Sequence, residues 1–135
     1  MSVSQPVSRF SVRVYYEDTD VSGVVYHANY LRYFERARTE WLRDRGFDQE
    51  RLRKELNLAF TVVSAELRFR LPARLDDELL VESRLEKLKA VSFDFDQQLG
   101  CESRLLVTGR FRCACIDAEQ FKPRALPEFM RKEFA

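Results

Sequence analysis

The sequence predicts an α+β fold: a five-stranded antiparallel sheet wrapped around one long central helix. Three observations carry this. A short alternating segment opens the chain, one long segment of helical period follows, and from about residue 62 the period becomes two and stays there. A strand, a long helix and four long half-polar strands bury their apolar faces most simply by curling the sheet around the helix. At 135 residues, with 45% hydrophobic and 13% aromatic content and only 4 Gly and 4 Pro, the chain reads as one globular domain spanning 1–135. A domain of this size buries about two-thirds of its unfolded surface.

Residues 1–8 read as a loose lead-in. In 10–16, Phe10, Val12, Val14 and Tyr16 alternate with Ser11, Arg13 and Tyr15, which is a strand. Residues 17–24 form a loop. From 27 to 45 Tyr30, Phe34, Ala37 and Trp41 recur at helical spacing, joined by Leu31, Tyr33 and Leu42. Arg32, Glu35, Arg36, Thr39, Glu40 and Arg43 take the other side, and Gly46 is the expected stop. Such a helix is roughly 25 Å long, enough to cross a sheet. A short helix follows at 48–56. Strands are expected at 62–71, 79–89, 91–99 and 104–116, with PARLDDE (72–78) as a turn and a short helix at 127–134. The sheet has open edges, and edges are often covered by a second subunit, so a homodimer sharing an extended sheet is expected.

Composition excludes several functions. Net charge is +1, from 23 basic and 22 acidic residues, so no global basic field argues for nucleic acid. No apolar run approaches the ~18 residues of a membrane span. The first ten residues, MSVSQPVSRF, lack an apolar signal core, and three cysteines are not a disulfide framework. A reducing, cytoplasmic setting is expected. Cys113 and Cys115 lie two apart on one strand face, about 7 Å from each other, too far and too parallel to pair. A zinc site needs about four ligands, which one histidine and three scattered cysteines do not supply. Neither a Gly-x-Ser-x-Gly elbow nor a phosphate-binding glycine loop is present.

Chemistry concentrates in residues 13–42, RVYYEDTDVSGVVYHANYLRYFERARTEWL. An acidic turn ends in Asp20, the chain's only histidine, His27, comes seven residues later, and the long helix begins directly after it. A helix start exposes unpaired N–H groups and about half a positive charge, which suits a developing oxyanion. A carboxylate aimed there can attack an acyl carbonyl or activate a water against it. From spacing alone other roles stay open. Asp20 also suits a turn former or cap, with Glu17 and Asp18 competing for any catalytic task, and His27 also suits packing or capping. Lys87 and Lys89, in EKLKAVSF, are either a solvated hairpin end or a contact to an anionic ligand; Lys122 and Arg124, in FKPRALP, carry the same two readings.

Tyr-Glu-Asp-Thr-Asp at 16–20, followed by Gly-Val-Val-Tyr-His-Ala-Asn-Tyr at 23–30, is a specific pattern, and PARLDDEL and KPRALP accompany it. The chain resembles the hotdog-fold acyl-CoA thioesterases of the 4-hydroxybenzoyl-CoA thioesterase family. Within that family it is most similar to the YbgC-like branch, associated with the Tol-Pal envelope system of Gram-negative bacteria. The resemblance covers nearly the whole chain. It implies hydrolysis of an acyl thioester, of coenzyme A or of an acyl-carrier protein, to a free acid and a thiol; no cofactor and no metal are expected. It assigns catalysis to Asp20, places the carbonyl-polarising backbone N–H at His27, and makes the His27 imidazole a candidate to orient water or substrate. Gly23 and Tyr26 become substrate-binding candidates, and Lys87 and Lys89 candidates for the coenzyme A phosphates. The active site is then expected at a subunit interface of a homodimer or homotetramer. Two rivals remain: a hotdog hydratase or dehydratase, and a non-catalytic acyl-binding module.

Overall fold

The computed structural model describes residues 7–135. Strand β1 (Val7–Arg13) is followed by a 3-10 turn (Tyr16–Asp18), helix α1 (Asn29–Asp44) and helix α2 (Gln49–Leu56). Strands β2 (Leu58–Phe69), β3 (Glu78–Leu88), β4 (Ser92–Cys101) and β5 (Arg104–Asp117) come next, and helix α3 (Glu128–Phe134) closes the chain. The strands form one antiparallel sheet in the order β1-β3-β4-β5-β2. Among the described residues neither edge strand, β1 nor β2, has a further strand beside it.

The sheet curls around α1. The helix buries Tyr30, Tyr33, Phe34, Ala37, Arg38, Trp41 and Leu42, and the strands bury Leu79, Val81, Leu85, Phe93, Phe95, Leu99, Phe111, Cys113 and Cys115 against it. Trp41 is the hub, edge-on to both Phe95 and Phe134 at 5.1 Å. Edge-to-face pairs each add about 1 kcal/mol beyond area burial. Gly46 stops α1 with φ +88°, a left-handed conformation that costs glycine little. α2 starts on an Asp48 cap, whose carboxylate accepts from the Glu50 N–H at 3.0 Å.

Several expectations shift. The predicted lead-in, 1–8, lies outside the described residues except for Val7 and Ser8, which open β1. Tyr16 is not in that strand; it begins the 3-10 turn, because Asp18 accepts the Tyr15 N–H and folds the chain back. α1 starts at Asn29, so His27 precedes it. Leu31 is 43% exposed and not part of the core. β2 begins at Leu58, earlier than expected, and a bulge between Val62 and Ser64 changes its parity. Phe60 and Val62 before the bulge, and Ala65, Leu67 and Phe69 after it, therefore share the inner face. In β5, where alternation expects Leu105, Val107, Phe111, Cys113 and Cys115 to share a face, a register shift against β4 at Leu99 and Gly100 accompanies burial of Leu106 in place of Leu105.

α1 lies closest to β1 and β3. Its other flank faces the middle of β2 across a gap, which explains why inward Val62 remains 43% exposed; Phe69, at the end of β2 and with its ring 5.7 Å from that of Tyr30, is 54% exposed. The outer sheet face is charged in alternating rows: Arg84, Asp96, Arg110 and Glu66 are successive cross-strand neighbours. Among the described residues no helix is long and apolar enough to cross a membrane.

Candidate active site

After β1 the chain dips into the core at Val14, which is fully buried and doubly tied to the 72–78 turn. Its N–H donates to the Asp77 carbonyl and its carbonyl accepts from the Asp76 N–H, at 2.9 and 3.0 Å. A tight hairpin follows. The Tyr26 N–H donates to the Asp18 carbonyl, Thr19 bridges Val25, and the Asp20 N–H donates to the Val24 carbonyl. Gly23 closes the tip with φ +81°, donating its N–H to the Asp20 carbonyl. The hairpin is docked on the same turn, since the Val25 N–H reaches the Ala73 carbonyl at 2.9 Å and the Leu75 N–H reaches Gly23.

Asp20 sits at the exposed tip. Its Oδ1 accepts from the Ser22 hydroxyl at 2.5 Å and the Ser22 N–H at 2.8 Å. Those two bonds hold the carboxyl below its ordinary value, so it is ionised at neutral pH. Among the described residues Oδ2 has no hydrogen-bond partner. Asp18 is committed inward: its Oδ2 accepts the Tyr15 N–H and its Oδ1 the Asn29 side-chain amide, both at 2.8 Å. Burial would raise the Asp18 pKa, but the Tyr15 N–H, the nearby Tyr33 hydroxyl and the Asn29 amide outweigh it and lower it. Burial, with the Asp18 charge beside it, pushes the Tyr33 phenol well up. Asp18 thus fastens the hairpin to the first residue of α1 and leaves Asp20 as the outward carboxylate.

The helix start is open. Ala28, at the cap position, offers no side-chain acceptor. Asn29 donates to the Tyr26 carbonyl at 2.8 Å, and Tyr30 and Leu31 make long bonds of 3.4 and 3.3 Å to His27 and Ala28. Among the described residues, the N–H groups of His27 and Ala28 have no acceptor. The His27 ring is exposed and lies against Tyr26, with ring centroids 4.6 Å apart.

Asp20, Gly23, Tyr26 and His27 therefore share one hairpin and its exit. Lys87 and Lys89 do not join them in the same chain. The hairpin follows the end of β1 that pairs with Glu78, whereas Lys87 lies nine residues further along β3, roughly 30 Å away. Lys89 falls in the connection after β3, its N–H on the Ser92 carbonyl and its carbonyl accepting from Arg131. Lys122 and Arg124 are at that same far end: Arg124 donates from its backbone to Cys115 and from its side chain to the Leu56 and Asn57 carbonyls. Spacing does not single out Ser22 or Asn29, and it offers Asp18 only as a rival to Asp20 for the catalytic task. Their roles depend on the turn closing between Tyr15 and Asp18, which alternation does not report.

A five-stranded antiparallel sheet wrapped around a helix whose exposed N-terminus meets an acidic hairpin is a hotdog fold. Residues 14–134 match the model of the thioesterase-like superfamily, and the chain belongs to that superfamily. It is 44% identical over 125 residues to the acyl-CoA thioesterase YbgC of Haemophilus influenzae, covering 93% of this chain and 92% of that protein. It is 43% identical over 127 residues to the acyl-CoA thioester hydrolase YbgC of Escherichia coli, covering 93% and 94%. The crystal structure of a probable thioesterase from Bartonella henselae superposes with a TM-score of 0.87 at 41% identity, covering 90% of this chain and all of that one.

Proposed function

We propose that this protein is an acyl-CoA thioesterase, hydrolysing an acyl thioester to a free acid and coenzyme A with Asp20 as nucleophile or general base. The observation that supports it is the pairing of an outward, ionised Asp20 with unfilled N–H donors at the α1 start, on one rigid hairpin. The thioester carbonyl oxygen accepts from the His27 and Ala28 N–H groups, which draws charge from its carbon. Asp20 then either attacks, expelling the thiolate and forming a mixed anhydride that water cleaves, or takes a proton from a water that attacks. Either way one water is consumed, and the thiolate leaves as the thiol. Losing one oxyanion donor typically costs on the order of 100- to 1000-fold.

The functional unit we propose is a homodimer joined through the open edge of β2. Pairing two β2 strands antiparallel continues the sheet, and it carries the partner subunit's Lys87 and the partner subunit's Lys89 to the end of the joint sheet where the hairpin lies. This is how lysines remote within one chain reach coenzyme A phosphates. Light scattering that reports a monomer at micromolar concentration sinks this assembly.

The enzymatic reading is tested by thiol release from a panel of short, long and aromatic acyl-CoAs, wild type beside Asp20→Asn. Release by wild type alone is expected. Near-normal release by the variant removes Asp20 from the mechanism. Stoichiometric acyl-CoA binding without release supports an acyl-binding module instead.

A further inference from the structure

Arg38 is an arginine in the wrong place for a surface charge. It is 8% exposed, pointing from α1 into the gap beneath β2. Its guanidinium stacks on the Phe111 ring at 4.1 Å, and Nη1 donates to the Gln97 side-chain carbonyl at 2.9 Å. Gln97, fully buried, is locked in that orientation because its amide donates to the Phe34 carbonyl at 3.0 Å and the Ser83 hydroxyl at 2.8 Å. No carboxylate lies within 4 Å of the guanidinium among the described residues. Glu35, one turn earlier, borders the same space from an exposed position without making the pair. A buried cation with spare donors is costly to the fold; Gln97, the Phe111 ring and the more distant Glu35 charge offset part of that cost, and the remaining donors suit an acceptor brought from outside.

Space for one exists. Arg38 lines a cavity of about 50 Å³ with Phe60, Phe93, Phe95 and Cys113, more than the ~30 Å³ share of one water and enough for a carboxylate head. The inner face of β2 leads toward it: from the Tyr30–Phe69 ring contact at 5.7 Å, beside the hairpin, it runs through half-buried Leu67 and exposed Ala65 and Val62 to half-buried Phe60, with Glu35 of α1 bordering the far end. Ala28 and Arg38 are ten residues apart, about 15 Å along the helix, which an extended chain of about twelve bonds covers.

We infer that this groove takes an acyl chain whose far end carries a carboxylate, bound by Arg38. The inference rests on the proposed thioesterase reading and adds to it the substrate class. A terminal carboxylate gains a charge-assisted bond to a pre-oriented guanidinium, an advantage of at least tenfold over a methyl terminus.

The test compares the mono-coenzyme A thioester of dodecanedioic acid with dodecanoyl-CoA, in two readouts. Equilibrium binding of both thioesters is measured to Asp20→Asn, and kcat/KM for both with wild type. The dicarboxylic thioester is expected to be favoured at least tenfold in each. The Asp20→Asn, Arg38→Met double variant is expected to bring the binding ratio to about one. Equal binding of the two thioesters overturns the inference, as does a preference that survives loss of Arg38. If binding discriminates but nothing is hydrolysed, the thioesterase reading fails while the carboxylate site stands. Should Arg38→Met not fold, the binding ratio in Asp20→Asn alone decides.

Discussion

Replacing Gln97 by Leu tests whether the polar knot under α1 is structural. Gln97 joins three elements: its carbonyl oxygen accepts from Arg38 of α1, and its amide donates to Phe34 of α1 and to Ser83 of β3. Leucine removes all three bonds at nearly constant volume. Two neutral bonds at about 1 kcal/mol each and one to a charged group at about 2 make a loss of about 4 kcal/mol. The added apolar burial returns about 1 kcal/mol, leaving about 3. Unfolding entropy near the midpoint is about 2.1 cal/mol/K per residue. For 135 residues that is about 0.28 kcal/mol/K, so Tm should fall by about 10 °C. The assay is calorimetry at fixed protein concentration, because subunit association also shifts Tm. Ser83→Ala, which removes one neutral bond, should cost about a third as much. A fall below about 3 °C for Gln97→Leu would refute the reasoning, since Arg38 would then be drawing its support from elsewhere.

Further outcomes follow from the geometry. Because Ser22 holds the Asp20 pKa down, kcat/KM should stay flat from pH 6 to 8 and fall only on acidification below the ordinary carboxylate range; Ser22→Ala should move that acid limb upward, and an unmoved limb would detach Ser22 from Asp20. Asp18→Asn turns a donor toward Tyr15 or Asn29, so kcat should drop about tenfold with KM nearly unchanged and the pH profile retained. The Asp18 pKa is lowered by folding, so its stabilisation is present above its unfolded value and is lost on acidification through its folded value; urea midpoints of wild type and variant should converge as pH falls through that folded value. A Cβ on Gly109 would sit 2.6 Å from the Phe111 ring and 3.2 Å from Phe34, so Gly109→Ala should lower stability by about 1–3 kcal/mol, checked by urea denaturation. Burial pushes the Cys113 and Cys115 thiols up to about 11, so a disulfide reagent at pH 8 should leave both unmodified in the native protein and label them after denaturation.

Alternation and helical period made the architecture readable, because each strand from β3 to β5 keeps one apolar face: Leu79, Val81 and Leu85, or Phe93, Phe95 and Leu99. The β2 bulge was not readable. Val62 and Val63 are both apolar, and only the pairing with Cys113 and Arg112 reveals which residue is extra. Gln97 sits at an inward position of its own alternation, and Arg38 on the buried stripe between Phe34 and Trp41, so periodicity marks both as buried polar groups. What it does not report is that they meet, since 59 residues separate them. The hairpin was legible as a motif, but the division of labour between Asp18 and Asp20 depends on which carboxylate the turn draws inward.

The bare start of α1 has an evolutionary and engineering consequence. α2 shows what this chain does when stability alone is at stake: it places an aspartate at the cap. At the head of the longest helix it places Ala28 instead, uncharged and with its backbone already helical at φ −69° and ψ −20°. An aspartate at this position would gain about 0.5 kcal/mol from the helix dipole, which makes Ala28→Asp attractive to any thermostability design. On the proposed mechanism, the same charge opposes the one that develops on the acyl carbonyl oxygen. Thermal robustness and turnover are then set against each other at this one position, and libraries selected only for heat resistance should drift toward acidic, inactive variants there.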